Sequence, residues 1–299
     1  MNSVWYIIFV ILGSIAVIAL TTVWFCMRAA RKVLHPASKR KPLTIWPDQY
    51  GLPYENISFK TQDNVQIKGW FIPCAEESVK TIILMHGWGM NRSDILKNTY
   101  FLRDLGFNLC YFDFRALGES GGKTSSIGYL EVNDVSAAIK FLKETRPQLC
   151  QKIGLYGLSM GAMVAICEAA RNPEIMCVVA EASYYSFRRV VSRWAWVRHR
   201  VPYFPLIPII LHYIRKYLGA NPERYSPKYN IPKISPRPVF IIHGRRDNIV
   251  PGSQARMLYK KAKDPKEMWI VPGATHNKCA EVGGYEYKQR LADFFREHL

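Results

Sequence analysis

The chain begins with one long apolar run and then shifts to short alternating and mixed segments. From Val4 to Met27 no residue carries a charge, and nearly all are apolar. As a helix rising 1.5 Å per residue, this run exceeds the roughly 20 residues needed to cross a bilayer core. Trp5 and Tyr6 mark one edge and Trp24 the other, where aromatic rings favour the membrane interface. Residues from about His35 to Pro53 contain Pro36, Pro42, Pro47 and Pro53, and read as a linker.

After the linker the period changes. Asn56–Lys60 alternates apolar and polar positions, Asp63-Asn64 signals a turn, and Val65–Ile72 resumes a strand, which together predict a hairpin. Short apolar runs then predict buried strands at Thr81–Met85, Phe107–Phe112 and Cys177–Ala180, and further strands are predicted at Lys152–Tyr156, Val239–Ile242 and Glu267–Val271. Helical spacing falls between and after them, at Ile95–Leu105, Tyr129–Leu142, Met160–Ala170, Ser253–Lys263 and Glu286–Phe295. Strands alternating with helices predict an α/β fold: a mostly parallel central sheet covered on both faces, with the hairpin as an antiparallel edge. Ser183–Arg237 is far too long for an ordinary crossover and is expected to form an inserted cap. The organisation is then a transmembrane anchor with its basic flank over 1–34, a linker over 35–53, and an α/β domain over 54–299 with the cap at about 183–237.

Composition narrows the class. With 49 % apolar and 21 % charged residues over 299 positions, the chain is a folded one, large enough to bury an active site. The net charge of +18 attracts anions, with nucleic acid and anionic lipid as the obvious partners. No zinc-finger spacing, basic heptad region or RNP-like motif is present, so no nucleic-acid partner is expected. No Lys or Arg precedes the apolar run, whereas Arg28, Arg31, Lys32, Lys39, Arg40 and Lys41 follow it. Positive flanks stay on the cytoplasmic side, which predicts a single-pass protein with a cytoplasmic domain. A cleaved signal peptide would need a positive start, an apolar run of about 7–15 residues and a small-x-small cleavage site, so a retained anchor is expected. The seven cysteines are odd in number and show no metal-knuckle or redox spacing; they read as reduced thiols in a reducing compartment.

The chemistry begins at Tyr156-Gly157-Leu158-Ser159-Met160-Gly161, which contains Gly-x-Ser-x-Gly. Alone the pentapeptide is weak. Here it follows a predicted strand and precedes a predicted helix, the setting in which a sharp turn lifts a nucleophilic hydroxyl above the sheet. Ser159 needs a base. His276 lies past the last strand, on a loop at a strand's carboxyl end, where ligands sit in such sheets. His86 and His243 end strands and read as structural. An acid must fix the base's tautomer. Asp247 follows the second-last strand and completes the chain order Ser–acid–His; Glu181, after the strand following Ser159, is the alternative acid. Two amides are needed for an oxyanion. Met160 N–H supplies one, and Trp88 N–H in His86-Gly87-Trp88-Gly89 the other, with Gly87 and Gly89 allowing close backbone approach.

These residues resemble the α/β-hydrolase superfamily. More narrowly, the chain is similar to single-span hydrolases grouped with serine aminopeptidase-like and prolyl-oligopeptidase-like domains, from roughly Tyr54 to the C-terminus apart from the cap. The resemblance implies that His86–Gly89 is the oxyanion loop, Gly157–Gly161 the nucleophile elbow, and Asp247 and His276 the acid and base. Asp113-Phe114-Arg115-Ala116-Leu117-Gly118-Glu119-Ser120 is similar to the family's Asp-x-Arg-Gly-x-Gly-x-Ser, with Ala116 where Gly is usual. That departure bears on loop geometry more than on catalysis.

The cap carries eleven Lys or Arg and one acid, Glu223, between Tyr184 and Arg237. Basic residues mixed with Trp194 and Trp196, followed by the apolar stretch Val201–Leu211, suit a headgroup–acyl boundary. Two readings stay open: the cap lies on an anionic bilayer and admits a lipid-like substrate, or its apolar residues pack onto the core. The expected activity is hydrolysis of an acyl ester or thioester through an acyl-enzyme on Ser159, with no metal and no organic cofactor implied. A serine peptidase using the same triad is the alternative, and a non-catalytic membrane-bound binding protein a third. The oligomeric state stays open.

Overall fold

The computed structural model describes residues 2–36 and 40–299. Lys39, counted above in the basic flank, and part of the linker lie outside the described residues. Helix α1 (Asn2–Leu34) carries the whole apolar run. It is long and apolar enough to cross a membrane, with a mean hydropathy of 2.5 over its most apolar stretch.

Eight strands make one sheet: β1 (Glu55–Lys60), β2 (Gln66–Ile72), β3 (Lys80–Met85), β4 (Asn108–Phe112), β5 (Lys152–Leu158), β6 (Ile175–Glu181), β7 (Val239–Gly244) and β8 (Lys266–Val271). Their spatial order is β1-β2-β4-β3-β5-β6-β7-β8. β1 and β2 form the expected antiparallel hairpin, and β2 runs antiparallel to β4. All other pairs are parallel. The parallel strands β3 to β8 are the ones sealed by helices, hence their near-continuous apolar sequence.

Helices α2 (Arg92–Thr99), α3 (Glu131–Thr145), α4 (Met160–Arg171), α5 (Phe187–His199), α6 (Leu206–Leu218), the single turn α7 (Pro227–Asn230), α8 (Gly252–Lys261) and α9 (Cys279–His298) complete the chain. One face of the sheet is covered by α3, α4 and α8, with Val135, Ile139, Val164 and Leu258 in its core. The other is covered by α2 and α9, through Ile95, Leu96, Leu291 and Phe295.

The largest departures from the sequence pattern are at two helices. The helix expected over Ile95–Leu105 splits into α2 and a 3-10 segment, Tyr100–Leu105, which Gly106 ends at φ +87°. It also starts earlier, because the Asn91 side chain accepts from the Ser93 amide and caps it. α9 begins at Cys279 rather than Glu286. Gly284, at φ 52° and ψ −119°, kinks it and interrupts the apolar period that would have revealed the first turns.

The cap forms where expected, as α5 and α6 between β6 and β7, but its apolar stripe has an unforeseen partner. Ile207, Ile210, Leu211 and Ile214 of α6 are buried against Cys26, Ala30 and Leu34 of α1, with Phe187 and Val191 of α5. The last turns of α1 therefore pack as part of the domain, and the boundary drawn at 34 does not separate two packing units.

Candidate active site

The parallel register brings the carboxyl ends of the strands to one edge. Met85 pairs with Gly157, Gly157 with Ala180, Glu181 with Ile242, and Gly244 with Val271. The loops that follow these residues carry Trp88, Ser159, Asp247 and His276, so distant segments converge without any one of them being long.

Ser159 sits at the turn from β5 into α4, at φ 55° and ψ −107°. This is a strained backbone for a residue with a side chain, and the surroundings enforce it. A Cβ on Gly157 would lie 2.2 Å from the Gly161 carbonyl oxygen, and one on Gly161 would lie 2.3 Å from that of Met85. Neither position admits any other residue without moving the backbone. The Ser159 amide donates to the Glu181 carbonyl at 2.8 Å, which ties the elbow to β6.

His276 Nε2 is 3.1 Å from Ser159 Oγ, and His276 Nδ1 is 2.6 Å from Asp247 Oδ2. The other Asp247 oxygen accepts from the Ile249 and Val250 amides at 2.9 and 2.8 Å. Burial alone would raise the Asp247 carboxyl; hydrogen bonds with His243 and His276 and from the Val250 amide outweigh it and hold it at about 2. With Asp247 anionic, Nδ1 of His276 carries the proton and Nε2 is left to accept from the serine hydroxyl.

Glu181, the alternative acid, is elsewhere. Its carboxyl accepts from Tyr156 Oη at 2.9 Å and Tyr287 Oη at 2.8 Å, on the side of the sheet packed by α9. β6 alternates its side chains between the two faces, and Glu181 falls on the face where Tyr156 and Tyr287 hold its carboxyl. Burial raises its pKa against those two hydrogen bonds.

The two residues expected to supply oxyanion amides, Trp88 and Met160, lie beside Ser159. Met160 opens α4, so its amide is among those a helix leaves unpaired and aimed outward. A Cβ on Gly87 would stand 3.4 Å from Ser159 Cβ, so the loop bearing Trp88 runs against the serine. Gly89 takes φ +73° in that loop. His86 is fully buried. It accepts from the Phe114 amide on Nε2 at 3.0 Å, and its Nδ1 meets the Gly87 carbonyl at 2.8 Å. Burial lowers its pKa, and the neutral ring braces the loop. His243 is buried too, with Nε2 2.6 Å from the Val250 carbonyl, behind Asp247.

The segment Asp113–Ser120 builds the floor beneath this loop. Asp113 accepts from the Arg92 amide at 2.8 Å and pairs with its guanidinium, while Arg115 pairs with Asp134 and Asp63. Ala116 takes the left-handed conformation, φ +60°, that the usual glycine would supply, and its amide donates to the Gly121 carbonyl at 2.7 Å. The loop closes despite the departure.

A partly enclosed cavity of about 180 Å³ opens over Ser159 and His276. Its walls come from Trp88, Met160, Tyr184, Val190, Val191 and Trp194, among others. Trp88 and Trp194 meet edge to face at 5.9 Å. The lining is mostly apolar and includes no carboxylate. Trp88 Nε1 and Asn277 Oδ1 are buried without a hydrogen-bond partner among the described residues, and both residues line the cavity. All seven cysteines are unpaired, and no group of three or more candidate ligands that could hold a metal occurs among the described residues.

Residues 76–225, half of the chain, match the family model described as serine aminopeptidase, S33. YqkD of Bacillus subtilis, an uncharacterized protein, is 30 % identical over 230 residues, which is 76 % of this chain and 74 % of YqkD. The chain belongs to the serine aminopeptidase S33 family. Within the α/β-hydrolase fold it is also similar to protein bem46 of Schizosaccharomyces pombe, 28 % identical over 258 residues, covering 84 % of this chain and 80 % of bem46. Among solved structures, the Pyrococcus furiosus esterase Pf2001 superposes with a TM-score of 0.72 at 29 % identity, covering 87 % of this chain and 96 % of the esterase. The acylaminoacyl peptidase of Pyrococcus horikoshii shares the fold alone, at 16 % identity and a TM-score of 0.64 over 86 % of this chain and 44 % of the peptidase. Membership in this family makes the protein a hydrolase. The cavity walls are what the sequence pattern did not disclose. Trp194 was visible in the basic–aromatic stretch of the cap, but Tyr184, Ile249 and Asn277 carried no motif, and an apolar residue of α1 gave no sign of lining a site.

Proposed function

We propose that this protein is a membrane-anchored serine esterase that cleaves a carboxylic ester or thioester with an apolar acyl chain. The observation that carries the reading is the Ser159–His276–Asp247 relay at the floor of an apolar cavity. His276 takes the serine proton as Oγ attacks the acyl carbon, then returns it to the leaving alcohol or thiol. The amides of Trp88 and Met160 receive the charge that develops on the carbonyl oxygen. Water then enters, His276 removes its proton, and the acyl-enzyme is hydrolysed to a free acid.

The lining favours an ester over a peptide. An aminopeptidase must hold the substrate's ammonium group, and a carboxylate is the natural partner; the cavity lining offers none. α1 serves as a single membrane span, and the basic residues after it favour a cytoplasmic domain. The cap then reaches the anionic leaflet. Cys26 Sγ lies 3.8 Å from the Leu206 carbonyl, only two residues beyond Trp24, and this supports a reading in which the corner containing Arg200, Tyr203 and Phe204 meets the bilayer surface. Phe204 is 79 % exposed there.

Labelling of the full-length protein with a fluorophosphonate, alongside Ser159→Ala and His276→Ala, tests the nucleophile. Labelling of wild type alone is expected, and equal labelling of Ser159→Ala ends the proposal. A series of acyl esters set against aminoacyl anilides then separates the two substrate classes. For the cap, a polarity-sensitive fluorophore on Phe204→Cys should shift to the blue in anionic vesicles. A water-like spectrum would remove the cap from the bilayer.

A further inference from the structure

The end of α1 does more than tether. Cys26, Ala30 and Leu34 recur every four residues, so they form one stripe, and all three are fully buried in the cap. Polar contacts fasten the same turns. The Leu34 carbonyl accepts from the Ser125 amide at 2.8 Å, His35 Nδ1 meets the Lys123 carbonyl at 2.9 Å, and the Arg31 guanidinium lies 5.3 Å from the centre of the Tyr217 ring. Held in this way, α1 turns an adjacent face toward the catalytic cavity, and Val33 lines it together with Ser159 and His276. Val190, Val191 and Ile127 line the same space and pack with the α1–α5–α6 cluster. Val33 is thus a pocket residue on a helix whose preceding turns, from Val4 to Leu20, expose their apolar side chains.

We infer that α1 is a wall of the active site, and that Val33 sets which acyl chains the cavity accepts. The inference rests on the serine-esterase reading and adds its substrate class: an ester whose acyl chain lies in the bilayer beside α1. Val33 is nine residues past Trp24, about 14 Å along the helix axis. A chain running from the leaflet to Ser159 along α1 passes Val33 before it reaches the nucleophile. The side chain at 33 then fixes the width of that passage. One methylene in an apolar pocket changes discrimination by roughly ten-fold or more, and Val33→Trp adds far more bulk than that.

The test uses the full-length protein in nanodiscs and reads the rate of Ser159 labelling by ethyl and octyl fluorophosphonates. Val33→Trp is expected to lower the octyl-to-ethyl rate ratio at least about ten-fold, and Val33→Ala to raise it. Val17→Trp, the same change on the exposed part of the same helix, is expected to leave the ratio where it was. A ratio unmoved in both Val33 variants overturns the inference while leaving Ser159 a nucleophile. If neither reagent labels Ser159, the esterase reading is what has failed, and the wall is read by photocrosslinking with a diazirine-bearing octanoate. Adducts within the turn containing Val33 support the inference. Adducts confined to the exposed part of α1 or to α5 overturn it.

Discussion

Asp247 and His276 share a 2.6 Å hydrogen bond at Nδ1, while the carboxyl of the other candidate acid, Glu181, is taken up by the hydroxyls of Tyr156 and Tyr287. The two carboxylates therefore separate under mutation. Asp247→Asn leaves an amide that can hold the wrong tautomer of His276, and kcat should fall by about 10⁴-fold. Glu181→Gln preserves the shape and the tyrosine contacts, so kcat should stay within a few-fold of wild type. Steady-state hydrolysis of a chromogenic ester on both variants checks this, and equal losses would restore Glu181 as a candidate.

The depressed Asp247 carboxyl has a consequence for stability with a definite sign. A carboxylate whose folded pKa is lowered from 3.8 to about 2 contributes stability that is fully present above the unfolded value. That contribution is lost as the pH falls from about 4 toward 2. Its size is about 2 kcal/mol for a shift of this extent at a buried site. Urea melts in detergent at pH 6 should find Asp247→Asn less stable than wild type, and the gap should close as the pH is lowered below 4. A gap that is constant with pH would show that the carboxylate charge is not what stabilises the loop.

Ala116 holds a left-handed backbone, φ +60°, in a loop fixed by the Asp113 and Arg115 ion pairs. An alanine there pays a steric cost that glycine does not. Ala116→Gly should therefore stabilise the protein by about 0.5–1 kcal/mol, against the usual direction for such a change. Differential scanning fluorimetry is sufficient to read it. A lowered melting temperature would mean that the alanine methyl, which is buried, packs well enough to outweigh the strain.

The parts of the molecule legible in the sequence are those where local pattern and chemistry coincide. Gly157 and Gly161 mark a turn in which a single Cβ would collide with backbone, so the motif itself encodes the geometry. The alternation of β1 and the apolar runs of β3 and β4 mark the sheet in the same local way. The cavity walls were not legible, because Tyr184, Val190 and Ile249 are ordinary core-type residues until the chain folds them over Ser159. The apolar stretch after Val201 invited two partners, the bilayer or the core. α6 instead buries most of it against α1, and a helix–helix seam between segments about 180 residues apart leaves no local signature.

That seam gives a contrast within one helix. Leu20 and Leu34 are both leucines of α1, yet Leu20 is 70 % exposed on the domain and Leu34 is 1 % exposed within the cap. For a simple tether the two should be equally replaceable. With the last turns of α1 packed as core, Leu34→Ala leaves a cavity among Phe187, Ile210 and Ile214, at a cost of about 2–5 kcal/mol. Leu20→Ala should stay within about 0.5 kcal/mol, since nothing in the domain touches it. Thermal melts of the two full-length variants in the same detergent decide the matter. A lowered midpoint for Leu34→Ala alone, with easier proteolysis of the α5–α6 segment, is the expected outcome. Equal midpoints would mean that the cap holds its shape without α1.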